Sequence, residues 1–180
     1  MERSLTLVAL FAALVAILGL VPQITLAAGV PITAQSLGIM LCGTVLGARR
    51  GALAVLLFLA LVAAGLPLLS GGRGGLGVFA GPSVGFLLGF PVAALVAGWI
   101  MQRTTLPVGL AAGAASVIGG IAVLYAFGIP GMALMLDKTL SEAALLGAAY
   151  LPGDVLKAVL AGLVTQAIAR MRPGSLLSRA

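Results

Sequence analysis

Polar residues interrupt this chain at few places, and the apolar runs between them set its architecture. Pro, Gly and charged positions divide the 180 residues into six apolar segments, near 4–21, 33–48, 51–66, 83–101, 106–127 and 152–170. A helix needs roughly 20 residues to cross a bilayer core. Each run therefore predicts a spanning helix, with the second and third short and their ends loosely marked. The expected architecture is an all-α integral membrane protein, a bundle of six transmembrane helices in a single transmembrane domain over 1–180. The first run resembles a signal peptide ending at Leu26-Ala27-Ala28. Its apolar region is long for one, so it is read as the first spanning helix.

Composition supports this reading, because 62% of residues are hydrophobic, 8% are charged and the mean hydropathy is +1.26. A soluble domain of this size has too little interior for so much apolar surface. The net charge of +6 would suggest a nucleic-acid partner in a soluble protein. Here membrane topology accounts for it and no nucleic acid is expected. With the N-terminus inside, Arg3, Arg49, Arg50, Arg103, Arg170, Arg172 and Arg179 all fall on the cytoplasmic side, as does the C-terminus. Arg73, Lys138 and Lys157 fall at or near the outer surface and need another reason. Lys138 has Asp137 and Glu142 beside it, which suits a solvated polar loop with a short helix.

Arg73 lies in a stretch from Gly65 to Gly81 that holds seven glycines and one proline. That density excludes a stable helix and predicts a folded outer loop between the third and fourth helices. A flexible connector is the plain alternative to a lid that carries a cation over an outward-facing pocket. The stretch formally contains Gly72-x-Gly74-x-x-Gly77, but no strand precedes it and no acidic residue follows about 20 positions on, so nucleotide binding is discounted.

Asp154 and Lys157 open the last apolar segment after Pro152-Gly153. Three-residue spacing puts both on one helix face, with the carboxylate at the positive end of the helix dipole. Ionisable groups inside a membrane mark functional sites, although an interfacial anchor with a snorkelling lysine is the simpler account. Asp154 can accept N–H donors and Lys157 can donate to an oxygen, so a urea-like or amide group with an acid tail matches them. Thr33, Gln35 and Ser36 form a third polar cluster before the second helix. Capping explains Thr33 or Ser36, leaving Gln35 as the candidate ligand contact. All three clusters converge on the outer side.

The inventory excludes several chemistries. Without histidine and with a single cysteine, Cys42, there is neither a disulfide nor a usual zinc site, and a Ser–His protease is ruled out. Pro152-Gly153-Asp154 resembles an intramembrane aspartyl protease motif, but no second carboxylate lies in a spanning segment. With no Gly-x-x-x-x-Gly-Lys-Ser/Thr sequence, the chain is expected to be no enzyme, and any ATP must be bound by another subunit. On the first helix, Ala9-x-x-x-Ala13 and Ala12-x-x-x-Ala16 allow close helix approach, either within the bundle or to a partner.

The Pro31-Ile32-Thr33 to Gln35 patch, the Gly71-Gly72-Arg73-Gly74-Gly75 loop running into Gly81-Pro82-Ser83-Val84-Gly85-Phe86, and the Asp154-x-x-Lys157 pair together resemble the BioY family over essentially the whole chain. These are biotin-binding S components of energy-coupling factor transporters. The resemblance implies capture of biotin outside a bacterial or archaeal cell membrane. It also implies partnership with a transmembrane T component and ABC-type ATPases, and no cofactor of its own. It implies that the loop between helices three and four closes over the ligand, that Asp154 and Lys157 line the pocket, and that Ala9, Ala12, Ala13 and Ala16 belong to the T-docking face. Biotin's ureido N–H groups suit Asp154, and Arg73 or Lys157 suits its carboxylate. Phe79, Phe86 and Tyr150 offer apolar contact. Family members often carry Gly-Pro-Thr-Gly-Gly-Tyr where this chain has Gly81 to Phe86, so a polar role does not transfer to Phe86. An ion-coupled secondary transporter of a small carboxylated solute is the alternative, weakened by the lack of an obvious inverted repeat.

Overall fold

A backbone without water must satisfy its amides internally, and the computed structural model is accordingly helical over most of its length. The structure describes residues 2–25 and 31–179. In chain order it contains α1 (Glu2–Leu18), α2 (Gln35–Leu46), α3 (Ala48–Ala63), α4 (Val84–Arg103), α5 (Val108–Val117), α6 (Leu124–Met135), α7 (Leu140–Ala148) and α8 (Leu151–Met171). A π-helical turn at Ile118–Val123 joins α5 to α6 without a break. The short strands β1 (Ile24–Thr25) and β2 (Pro31–Ile32) pair antiparallel between α1 and α2. The signal-like ending at residues 26–28 lies outside the described residues.

Among the described residues, three helices are long and apolar enough to cross a membrane: Val84–Arg103, Val108–Met135 and Leu151–Met171. The helix Val108–Met135 corrects the expected end near residue 127: it runs 28 residues, through Gly128 and Pro130. Proline is tolerated within membrane helices because neighbouring groups take up the freed backbone carbonyl. α2 has only 12 residues, and all but Leu37 are buried, so it sits inside the bundle with protein on every side. Outward-facing positions are apolar: Leu10, Leu88 and Leu163 are each more than half exposed, as suits contact with lipid tails.

One core runs through α1 to α4 and into α8, around Val15, Ile39, Met40, Val55, Phe58 and Ala94. A second cluster of Met132, Ala133, Ala143 and Tyr150 lies under α7. That helix has a capping box, in which the Thr139 hydroxyl accepts from the Glu142 N–H while Glu142 accepts from Thr139. Those bonds hold the Glu142 carboxyl below its ordinary range. This is the short helix expected beside Lys138, which is exposed.

Buried hydroxyls tie α2 to α8 through a 2.9 Å Thr44–Thr165 hydrogen bond. At the end carrying Arg49, Arg50 and Arg103, the last residues fold back. Ser178 donates to the Thr44 carbonyl at 2.5 Å, and Arg179 donates to the carbonyls of Thr104 and Leu106 at 2.6 and 3.0 Å.

α4 and α6 cross with their backbones nearly touching, because a side-chain carbon at Gly85 would run into the Phe127 carbonyl and one at Gly131 would lie 2.6 Å from the Gly85 Cα. Gly85→Ala is therefore expected to destabilise the bundle by about 1–3 kcal/mol through overpacking. A lowered unfolding temperature in detergent checks this, against Gly113→Ala, whose added carbon meets no atom within 4 Å. Equal temperatures for the two variants would refute the tight crossing.

Candidate ligand-binding site

α8 starts with Leu151-Pro152-Gly153, a start that proline favours because the first helical N–H has no partner to lose. Asp154 follows in the first turn, its N–H donating to the Tyr150 carbonyl at 3.1 Å. One turn on, Lys157 reaches back, and its Nζ lies 2.8 Å from Asp154 Oδ1. Asp154 is only 6% exposed, so this pair lies in protein rather than at a wet surface. Two further helices complete it. Ser36 of α2 accepts from Lys157 Nζ at 2.9 Å and donates to Asp154 Oδ1 at 3.3 Å. Tyr125 of α6 donates to Asp154 Oδ2 at 2.8 Å. A carboxylate offers about four acceptor positions, so three bonds leave Oδ2 able to take one more donor.

The pair opens into a cavity lined by Thr33, Gln35 and Ser36, by Leu69 and Arg73 of the glycine-rich loop, by Ser83, Phe86, Leu87 and Phe90 around the start of α4, and by Leu124, Tyr150, Asp154 and Lys157. The loop is folded, as the lid reading requires. Leu69 and Arg73 exchange backbone hydrogen bonds of 3.0 and 3.2 Å, and the turn between them places Gly71 and Gly72 at φ of 79° and 69°. A residue with a Cβ is strained in that left-handed region, which explains why the turn carries two glycines. A 3₁₀ turn over Leu76–Ala80 leads to α4.

Six of the seven expected ligand-contact residues line this cavity: Gln35, Arg73, Phe86, Tyr150, Asp154 and Lys157. Phe79 does not. It is partly buried against the main core. Gln35 borders the cavity, but its amide serves the backbone: Oε1 accepts from Ser70 N at 3.1 Å, and Nε2 donates to Val15 O at 3.1 Å and Leu68 O at 3.0 Å. Neither Thr33 nor Ser36 is the cap, which is Ala34, although the Thr33 hydroxyl accepts from Gln35 N at 3.3 Å. Phe86 forms an apolar wall, edge-on to Tyr125 at 6.0 Å and to Tyr150 at 6.5 Å.

Ser36 and Tyr125 are the residues that sequence reasoning passed over. Ser36 resembled a helix cap, and Tyr125 lay inside a long apolar run. A phenol at membrane depth was the available signal, since its hydroxyl requires a partner there. The π turn immediately before α6 changes the helical phase and brings Tyr125 to Asp154; such turns recur at functional sites.

The alanine pairs of α1 divide between two faces. Ala12 is buried in the main core and Ala16 packs against it, so these two serve internal packing, whereas Ala9 and Ala13 are exposed.

Two cations and one carboxylate give the cavity a net charge of +1, and its walls are otherwise mostly apolar. It therefore suits a small, largely apolar monoanion that also presents an N–H donor. The BioY family profile matches residues 2–174. The chain belongs to the BioY family. It is 53% identical to the biotin transporter BioY of Rhodobacter capsulatus over 99% of this chain and 100% of that protein. It is 51% identical to the biotin transporter BioY of Rhizobium etli, over 92% of each chain. The fold matches a crystal structure of the S-component for biotin from an ECF-type ABC transporter, with a TM-score of 0.89 and 29% identity over 94% of this chain and 92% of the other. Like the transporters it resembles, this BioY chain is a multi-pass membrane protein.

Lys157→Met is expected to destabilise the protein by about 3–5 kcal/mol, because it leaves the buried Asp154 carboxylate without its counter-ion. Asp154→Asn in the same chain should recover much of that loss. Unfolding temperatures of the two variants check this, and no recovery in the double variant would show that the pair is not electrostatically coupled.

Proposed function

We propose that this chain captures biotin at the outer face of a bacterial or archaeal cell membrane and serves as the S component of an ECF-type transporter. The observation that carries this reading is the buried Asp154–Lys157 pair opening beside Arg73 into an apolar cavity, in a chain of the BioY family.

Biotin's chemistry matches the groups present. A ureido N–H can take the remaining acceptor position on Asp154 Oδ2, and the fused rings suit the wall of Phe86, Leu87, Phe90 and Leu124. The valerate is an anion. Arg73 suits it better than Lys157 does, because the lysine already spends two bonds on Ser36 and Asp154, whereas among the described residues the Arg73 terminal nitrogens make none.

In this reading six helical bodies cross the membrane, namely α1, α2, α3, α4, α5 to α6, and α8, with both termini in the cytoplasm. The arginine-rich end then faces inward and the cavity outward, in keeping with the positive-inside rule. The chain acts as a transporter subunit rather than an enzyme and holds no cofactor of its own. ATP is hydrolysed by partner ATPases, and a T component docks against the exposed face of α1 around Ala9 and Ala13.

Calorimetric titration of the detergent-solubilised protein with biotin is expected to show saturable binding near one ligand per chain, weaker binding of desthiobiotin and none of an unrelated vitamin. No biotin binding by folded protein would overturn the capture function. Asp154→Ala and Lys157→Ala should each weaken binding by about 2–5 kcal/mol, the loss typical of truncating one partner of a buried charge pair. Unchanged affinity in both variants would remove the site assignment.

A further inference from the structure

Gln35 is 2% exposed, and each polar atom of its amide is engaged with backbone from another part of the chain. One arm holds the glycine-rich loop. Oε1 accepts from the N–H of Ser70, and Nε2 donates to the carbonyl of Leu68, so the loop is fixed on both sides of Leu69 from one side chain. The Ser70 carbonyl in turn accepts from Arg73 Nε at 3.2 Å, leaving the guanidinium's terminal nitrogens for other contacts. The other arm holds α1. Gly19 bonds back to Ala16, so the Val15 carbonyl lies outside the helix ladder, and Gln35 Nε2 satisfies it. The junction has little slack, since a side-chain carbon on Gly19 would sit 2.5 Å from the Leu68 carbonyl oxygen and 2.9 Å from Gln35 Nε2.

We infer that Gln35 is the positioning residue for Arg73: it fixes Ser70 through that residue's N–H, the Ser70 carbonyl holds the guanidinium, and the cation is so preset for the acid tail of the ligand. The inference rests on the capture function proposed above and adds to it a residue of the cavity wall that sets selectivity for a carboxylate through its backbone bonds. Preorganisation of this kind improves affinity by sparing the bound state the ordering of a flexible cation.

The test compares biotin with biotinamide, which keeps the rings and loses the negative charge. In Gln35→Met, similar in length but without amide groups, biotin affinity should fall about tenfold while biotinamide affinity changes less than twofold. In an Arg73→Gln background, the same substitution should cost biotin nothing further. Retained biotinamide binding reports that the variant is folded. If Gln35→Met does not fold, Gln35→Asn replaces it, since an amide one methylene shorter cannot span Val15 and Ser70 together, and the same selective loss is expected. Equal losses for both ligands would show a merely structural role and overturn the inference, as would full additivity with Arg73→Gln. Failure of the unaltered protein to bind either ligand would instead overturn the capture function on which the inference rests.

Discussion

The ion pair between Asp154 and Lys157 is the constraint around which this end of the bundle is arranged. Charges withdrawn from water are costly unless their remaining hydrogen-bonding capacity is met, and α8 alone cannot meet it. Ser36 from α2 and Tyr125 from α6 supply the missing partners, so three helices separated in sequence must converge where the carboxylate lies. The rest of the packing makes that convergence attainable. α2 is enclosed by protein almost throughout, and glycines at the α4–α6 crossing let the helix bearing Tyr125 lie against the one bearing Phe86. The polar site thus depends on small residues that carry no polarity themselves.

Around this centre, loop and helices contribute different properties. The helices supply a fixed carboxylate, a fixed ammonium and apolar walls. The loop supplies Arg73 on a short turn whose glycines allow the chain to reverse, and whose position is set by a side chain of α2. The turn is itself tied to α2, so its cation is held beside the ion pair before any ligand arrives. The division gives the cavity a helix-borne ion pair and a loop-borne cation, both tied to α2.

Much of this was open to sequence reasoning because membranes simplify it. Long apolar runs located the helices, scarce charges isolated Asp154, Lys157 and Arg73, and glycine density marked the loop. What escaped notice depended on rotation about a helix axis or on the path of a loop. The π turn that aims Tyr125 leaves only Gly119-Gly120 as a trace in the sequence, and the placement of Phe79 outside the cavity lining leaves none. The helix Val108–Met135 outran the end expected for the fifth span because Gly128 and Pro130, which break helices in water, persist in a bilayer where no solvent competes for the backbone. Gln35 lines the cavity as its polarity suggests, but composition cannot reveal that its amide also bonds three backbone groups. Ser36 was misread in the complementary direction.

The same rotational ambiguity bears on α1. Two alanine pairs with identical spacing differ in phase, which is enough to send Ala12 and Ala16 into the core and leave Ala9 and Ala13 outside. A close-packing motif therefore serves two surfaces at once, one already occupied within the chain and one open to lipid or a partner helix. The end of this helix is also fastened to Gln35, whose other bonds hold the loop beside the cavity. Movement of the loop must then break its bonds to Gln35, strain the Val15–Gln35 bond or carry the end of α1 with it. The loop beside the cavity and the end of α1 are thus joined through one buried amide.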